Sequence, residues 1–361
     1  MPATPHPLAA LGWDDAWAAA FAPHAAEGLE PARVVCDLRR TFYAVHTAGG
    51  EVLGETVGKF LHNITATGDY PAVGDWVAVK YRPGESRADI HARLPRRTKF
   101  SRRAAGEEHV EQVVAANLDT VLLVSGLDRN HNPGRIQRFL AAARESGAEP
   151  VIVLNKSDVV ADPEAVRREI AALVPGVAVV VTSAETRRGL KALAAYARPG
   201  RTLALVGSSG VGKSTLINAL ARDDALPTGE VREKDSKGRH TTTRRELVIT
   251  PSGALIIDTP GMRELQLWDA DAGVESAFAD ITALALRCRF TDCRHGTEPG
   301  CAVQAALASG ELPAERWRTY QKLCGEKLAK PKPLGTAPVS DNRIKRRKLG
   351  AERDAWRKHE H

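Results

Sequence analysis

The segment Gly207-Ser208-Ser209-Gly210-Val211-Gly212-Lys213-Ser214-Thr215 has the composition of a phosphate cradle. It fits G-x-x-x-x-G-K-[ST], in which glycines let successive backbone N–H groups turn toward phosphate oxygens. Lys213 would reach the β- and γ-phosphates, and the Ser214 hydroxyl would bind Mg²⁺. Because the pattern also occurs by chance, its neighbours matter. Arg201-Thr-Leu-Ala-Leu-Val206 reads as a buried strand, and Thr215-Leu-Ile-Asn-Ala-Leu-Ala221 carries apolar residues at helical spacing. Strand, glycine loop and positively polarised helix N-terminus are the setting phosphate binding needs.

Asn155-Lys156-Ser157-Asp158 follows a second apolar run, Pro150-Val-Ile-Val-Leu154. Ligands of open α/β sheets sit beyond the carboxyl ends of the strands. Guanine offers two adjacent donors, N1–H and N2–H₂, and the Asp158 carboxylate accepts both, whereas adenine would leave that charge unpaired. Asn155 would hold the acceptor edge and order neighbouring loops, and the Lys156 stem would lie over the base. A third run, Val177 to Val181, ends in Thr182-Ser183-Ala184, where a backbone N–H can donate to guanine O6. By itself the NKSD tetrad is a common helix start; with its companions it favours GTP over ATP.

A fourth run, Ala254-Leu-Ile-Ile-Asp258, leads into Thr-Pro-Gly261. Asp258 suits the Mg²⁺ shell, and the Gly261 N–H suits a γ-phosphate sensor. Residues 230–243 are polar and nearly free of apolar periodicity, as a nucleotide-ordered switch should be. One of its threonines should complete the Mg²⁺ shell, Thr242 ahead of Thr241 and Thr243. Ras-like enzymes orient the attacking water with a glutamine where this chain has Met262. His240 is the nearest polar substitute and titrates in the right range, although a loop histidine is also an ordinary bystander. The catalytic candidates are therefore Lys213, Thr242 and His240. Gly210 stands where some phosphate loops carry a K⁺-binding asparagine.

Cys288-x4-Cys293-x-His295-x5-Cys301 gathers three thiols and an imidazole, a closed tetrahedral set for structural Zn²⁺. A disulfide is the alternative. The start, MPATPHPLAALGWDD, lacks a basic n-region and a long apolar stretch, which favours a cytoplasmic chain and reduced thiols.

These loops need a scaffold, and their order in the chain is unusual. The phosphate loop lies C-terminal to NKSD, the reverse of ordinary GTPases, so the expected core is a circularly permuted α/β P-loop domain. Ahead of it, the runs 32–38, 41–46, 74–81 and 88–94 read as short strands separated by glycine and polar turns, suiting a small antiparallel barrel, best guessed an OB-fold. Arg96, Arg97, Lys99, Arg102 and Arg103 cluster at its exit, as in an RNA platform, although the barrel can equally be a structural cap. Residues 1–30 are alanine-rich, with Trp13, Trp17 and Phe21 suggesting a short packed helix. Net charge is +7, and residues 331–361 hold nine Lys or Arg against four Asp or Glu. Such a tail is either a phosphate-backbone ligand or a solvated end. No apolar stretch is long enough to span a membrane.

Barrel, permuted GTPase motifs, Cys₃His cluster and basic tail together resemble the ribosome small-subunit-dependent GTPase A (RsgA) family. The matching pieces are PAVGDWVAV (71–79), NKSD, TSA, GSSGVGKSTLIN, GRHTTT, DTPGMREL and the Cys₃His spacing. The resemblance implies an N-terminal OB-fold barrel (31–103), a permuted GTPase domain (104–268) and a mostly helical zinc-binding domain (269–330). An N-terminal extension (1–30) and a basic tail (331–361) flank them. It further implies GTP contacts on Asn155–Asp158 and Gly207–Thr215, beside the Ser183, Ala184 and Gly261 candidates above, with Zn²⁺ on Cys288, Cys293, His295 and Cys301. The family's setting is the cytoplasm, where a monomer exchanging GTP and GDP acts with Mg²⁺ on the maturing 30S subunit and its 16S rRNA, which stimulates hydrolysis. A second reading is an RNA-binding assembly module whose nucleotide site is mainly structural; Met262 keeps it open.

Overall fold

Runs of β-branched and apolar residues, cut by glycine and polar turns, build the first third of the chain. The computed structural model describes residues 6–39, 41–103, 111–129, 131–221, 245–258, 277–290, 293–296 and 298–328. Helix α1 (Asp15–Ala26) is capped by Asp14, which accepts from the Trp17 N–H at 2.9 Å. Then come β1 (Glu30–Arg39), β2 (Phe42–Thr47), β3 (Gly50–Thr56), α2 (Gly58–His62), β4 (Trp76–Tyr81) and β5 (Arg87–Arg93). They pair in the order β1-β2-β3-β5-β4, and β4 returns to β1. Only β3 and β5 run parallel, so the ring is a closed five-stranded OB-fold barrel. Alternation fills it: Tyr43 and Val45 of β2 point inward with Val34, Val77, Val79 and Ile90. Strand β3 escaped the sequence reading because its glycines and glutamates dilute the apolar alternation. The aromatic N-terminus packs on the barrel, with the Trp13 and Trp76 rings 4.8 Å apart.

The basic residues at the exit of the barrel take partners, one of them inside the fold. Arg96 forms a buried ion pair with Asp75 at 2.7 Å and donates to the Gly68 and Tyr70 carbonyls. Arg97 pairs with Asp14 and lies 4.1 Å over the Trp17 ring, Lys99 pairs with Glu111, and Arg102 donates to Gln112. Carboxylates distant in the chain bury Arg96 and orient Arg97 and Lys99, which stay partly exposed at the surface. Strand β6 (Lys99–Arg103) forms a hairpin with β7 (Glu111–Ala116).

The central sheet comprises β8 (Thr120–Gly126), β9 (Glu149–Asn155), β10 (Ala178–Val181), β11 (Thr202–Val206), β12 (Glu246–Ile249) and β13 (Leu255–Asp258). Its order is β10-β9-β8-β11-β13, all parallel, with β12 antiparallel on β13. Strand β8 is buried along its whole length, as a parallel strand covered on both faces should be. Helices α3 (Pro133–Glu145), α4 (Pro163–Leu173), α5 (Leu190–Ala194) and α6 (Lys213–Ala221) connect the strands. Strand β12 also pairs with β1 through Cys36 and Glu246, making barrel and sheet one hydrogen-bonded surface. Buried Arg33 fastens the same junction, donating to the carbonyls of Leu11, Gly74 and Asn117 and to the Thr202 hydroxyl. Burial pushes its guanidinium down to about 10, against the pull of Asp119 and Asp75.

Three further helices follow: α7 (Ala279–Ala285), α8 (Ala302–Ser309) and α9 (Ala314–Leu328). Their apolar residues, Phe278, Ile281, Leu284, Val303 and Trp317 among them, join the core that α3 and the central sheet build. Arg316 clamps them. It is bound to Asp280 by two contacts of 2.6 and 2.8 Å, and it donates to the carbonyls of Ala277 and of Leu173, the last residue of α4. Among the described residues no helix is long and apolar enough to cross a membrane.

Candidate functional site

Four loops meet at the carboxyl edge of the parallel strands, where open α/β sheets bind ligands. They follow β8, β9, β10 and β11 and carry Asp128, Asn155–Asp158, Thr182–Ala184 and Gly207–Ser214. Asn155 fastens three of them. Its Nδ2 donates to the Val211 carbonyl at 2.9 Å, and its Oδ1 accepts from the Ala184 N–H at 3.1 Å and the Thr182 hydroxyl at 3.2 Å. The side chain is buried. These three bonds order the loops.

Lys156 takes a left-handed backbone conformation, φ 63°, and its Nζ pairs with Asp128 Oδ2 at 2.6 Å. That pair holds the lysine stem beside the loop after β8. Asp128 was not singled out from sequence; a carboxylate two residues past a fully buried strand was the available signal. The Ser183 hydroxyl donates to Asp158 Oδ1 and accepts from the Thr186 N–H at 3.1 Å. Asp158 is exposed and oriented by this one neighbour, leaving carboxylate capacity for a donor pair on a base.

In the phosphate loop a Cβ on Gly207 would fall 2.3 Å from the Val124 carbonyl, and one on Gly212 would fall 2.3 Å from Asn155 Nδ2. Only glycine fits either place. Lys213 Nζ donates to the Gly207 and Ser208 carbonyls, both at 2.7 Å, so its ammonium is folded back over the loop. Lys213 begins α6, and Ser214 and Thr215 sit exposed on its first turn. From α3, Arg135 Nη1 donates to Ser208 Oγ at 2.6 Å. Strand β13 ends at Asp258, bringing its backbone to the same edge. His240, Thr242, Gly261, Met262 and the tail 331–361 lie outside the described residues.

Cys288, Cys293, His295 and Cys301 come together, with their ligand atoms all within 4.8 Å of one another. The Cys288 and Cys301 sulfurs are 3.9 Å apart, and each is 3.5 Å from His295 Nδ1. A tetrahedral ion with Zn–S of about 2.3 Å and Zn–N of about 2.05 Å requires S···S near 3.8 Å and S···N near 3.5 Å. The donor set therefore fits zinc, through the Nδ1 atom of the histidine. Direct S–S bonding is excluded at 3.9 Å for this pair, and all three cysteines are free thiols. His295 has φ 58°, and its carbonyl accepts from Gln304 Nε2 at 2.6 Å, which fixes the turn. Burial opposes ionisation of Cys288, but the Ala302 and Val303 N–H groups at the head of α8 outweigh it and lower its pKa. Burial and the neighbouring thiols push Cys293 up to about 11.

Known proteins resemble this chain. The family model described as RsgA GTPase matches residues 93–268. A small ribosomal subunit biogenesis GTPase RsgA from Opitutus terrae is 48% identical, covering 97% of this chain and 95% of the relative. The Streptomyces coelicolor protein of the same name is 45% identical over 88% of this chain and 86% of its own length. Among solved structures, YjeQ from Thermotoga maritima superposes with a TM-score of 0.61 at 28% identity, covering 84% of this chain and 100% of YjeQ. YloQ, described as a circularly permuted GTPase, gives 0.60 at 25% identity, covering 84% of this chain and 97% of YloQ. With a closed barrel, a phosphate loop placed after the guanine loop and relatives matched along almost its whole length, the chain is a GTP hydrolase and belongs to the RsgA family of circularly permuted GTPases.

Proposed function

We propose that this chain hydrolyses GTP to GDP and phosphate on the small (30S) ribosomal subunit late in its maturation, with turnover raised by the particle. The observation that carries the reading is the Asn155 junction, which draws guanine-loop and phosphate-loop residues from distant parts of the chain onto one edge. The names of the relatives supply the particle. The reading includes 16S rRNA as a contact, a cytoplasmic setting, a monomeric state and the division into extension, barrel, GTPase domain, zinc domain and tail given above.

In this reading Asp158 accepts from the guanine N1–H and N2–H₂, Lys156 covers the base, and a backbone N–H at Ser183 or Ala184 meets O6. The amides of residues 207–215 face the phosphates, and Lys213 turns from its loop carbonyls to the β- and γ-phosphates. Ser214, Thr242 and Asp258 hold Mg²⁺, the Gly261 N–H reads the γ-phosphate, and His240 orients the water that Met262 cannot. When bound, magnesium would supply neutralisation of the phosphate charge. Zinc on Cys288, Cys293, His295 and Cys301 supplies structural cross-linking alone, since four protein ligands leave no open position.

Met262 favours a second reading, an RNA-binding module with a mainly structural nucleotide site. Phosphate release with and without 30S subunits separates the two, run on wild type and on His240→Ala. Stimulation in the wild type, lost in the variant with 30S binding intact, is the expected result. No stimulation in the wild type would favour the module.

A further inference from the structure

We propose that Arg135 is a positioning residue for the phosphate loop, holding its second residue through the Ser208 hydroxyl; the inference rests on the nucleotide reading above. The contact is short, 2.6 Å from Nη1 to Oγ. Arg135 lies three residues past the α3 cap, Asn132, whose side chain accepts the Arg135 N–H at 2.9 Å. A cation is ill placed there, since the first turn carries the positive end of the helix dipole. Helix formation therefore does not account for the arginine. Nor does ion pairing, because among the described residues no carboxylate pairs with it.

The loop itself shows what the contact does. At its N-terminal end Gly207 is pressed against the Val124 carbonyl, and at its far end the Val211 carbonyl is held by Asn155. Between them, Lys213 reaches back to the Gly207 and Ser208 carbonyls, but that bond lies within the loop and its helix. Among the described residues, Arg135 provides the side-chain hydrogen bond that ties residues 208–210 to the rest of the domain. A cradle works by presenting several amides at once in fixed directions. Fixing its first half from α3 reduces the ordering that ligand binding must supply, which raises affinity. Because the loop wraps bound phosphate in ground state and transition state alike, the effect falls on binding more than on the chemical step.

Steady-state GTP turnover on 30S subunits, with calorimetry for GTP and GDP, tests this on the full chain. Arg135→Ala and Ser208→Ala should each raise KM and both dissociation constants about five- to tenfold, with kcat within about twofold. The double variant should lose little more than either single, since both remove one contact. Arg135→Lys should recover part of the loss. Melting temperatures should not move, as both side chains lie at the surface. Unchanged KM in Arg135→Ala overturns the proposal, as does a loss there without one in Ser208→Ala. A melting temperature that falls in step with affinity would make the arginine merely structural and also overturn it. If the wild type binds no GTP, the nucleotide reading itself fails, and this inference falls with it.

Discussion

Arg316→Met removes a guanidinium that fastens the C-terminal helices to α4 while keeping the apolar stem. The side chain is 3% exposed, whereas its partner Asp280 is 39% exposed. The ion pair is therefore partly screened and contributes about 1 kcal/mol. The larger loss is in the carbonyls of Leu173 and Ala277, which keep no donor among the described residues once the arginine is gone, at about 1 kcal/mol each or slightly more. The Leu173 carbonyl is one of the four that any α-helix leaves unpaired at its end, so Arg316 also serves α4 as a charged C-cap. Together the loss is about 3 kcal/mol, a factor of about a hundred in a local opening equilibrium. Native-state hydrogen exchange reads this directly, because the chain has several parts and a single melting curve would blur them. Amides of α7 and α8 should lose about a hundredfold in protection, while those of β8 and β9 stay unchanged. Asp280→Asn leaves both carbonyls satisfied and should cost about fivefold. Protection within threefold of wild type in Arg316→Met would refute the clamp.

Asn155→Ala orphans the Val211 carbonyl and the Ala184 N–H, so GTP affinity by calorimetry should fall by about 30-fold or more, with a lower melting temperature as well. The wild-type chain should hold one zinc per molecule by native mass spectrometry; Cys293→Ser should bind substoichiometrically, and chelation should bring α8 to near-free amide exchange. Burial raises the pKa of Asp280, but hydrogen bonds from Arg316 outweigh it and hold the group below the usual carboxylate value. Its contribution is therefore full above about pH 4 and is lost as pH falls through the depressed value. The protection difference between wild type and Asp280→Asn at α7 should persist at neutral pH and vanish in acid.

What could be read from sequence was what is encoded within a few residues. The phosphate loop announces itself because Gly207 and Gly212 have no room for a side chain and because strand and helix flank it at once. The guanine loop and the Cys₃His set are equally local. The barrel was legible in four of its five strands, and β3 was lost for want of alternation. The partners of the arginines were hidden for one reason. Arg96 and Arg97 look like a basic edge until Asp75 and Asp14 are brought against them from elsewhere in the chain. Arg316 and Arg33 carry no signal at all, since a helix face or a strand accepts an arginine for many reasons and only folding supplies the carbonyls. Asp128 and Arg135 belong to the same class: their partners, Lys156 and Ser208, are near only in space.

The joint between β1 and β12 sets a timetable for synthesis. Every strand of the barrel lies within residues 30–93, so its pairing can be complete while most of the chain is still being made. The joint waits for Glu246 to reach Cys36, and the parallel sheet waits for β13. Such distant pairings are slow to form. Competence for nucleotide thus arrives late, on a nascent chain whose first module has long since closed.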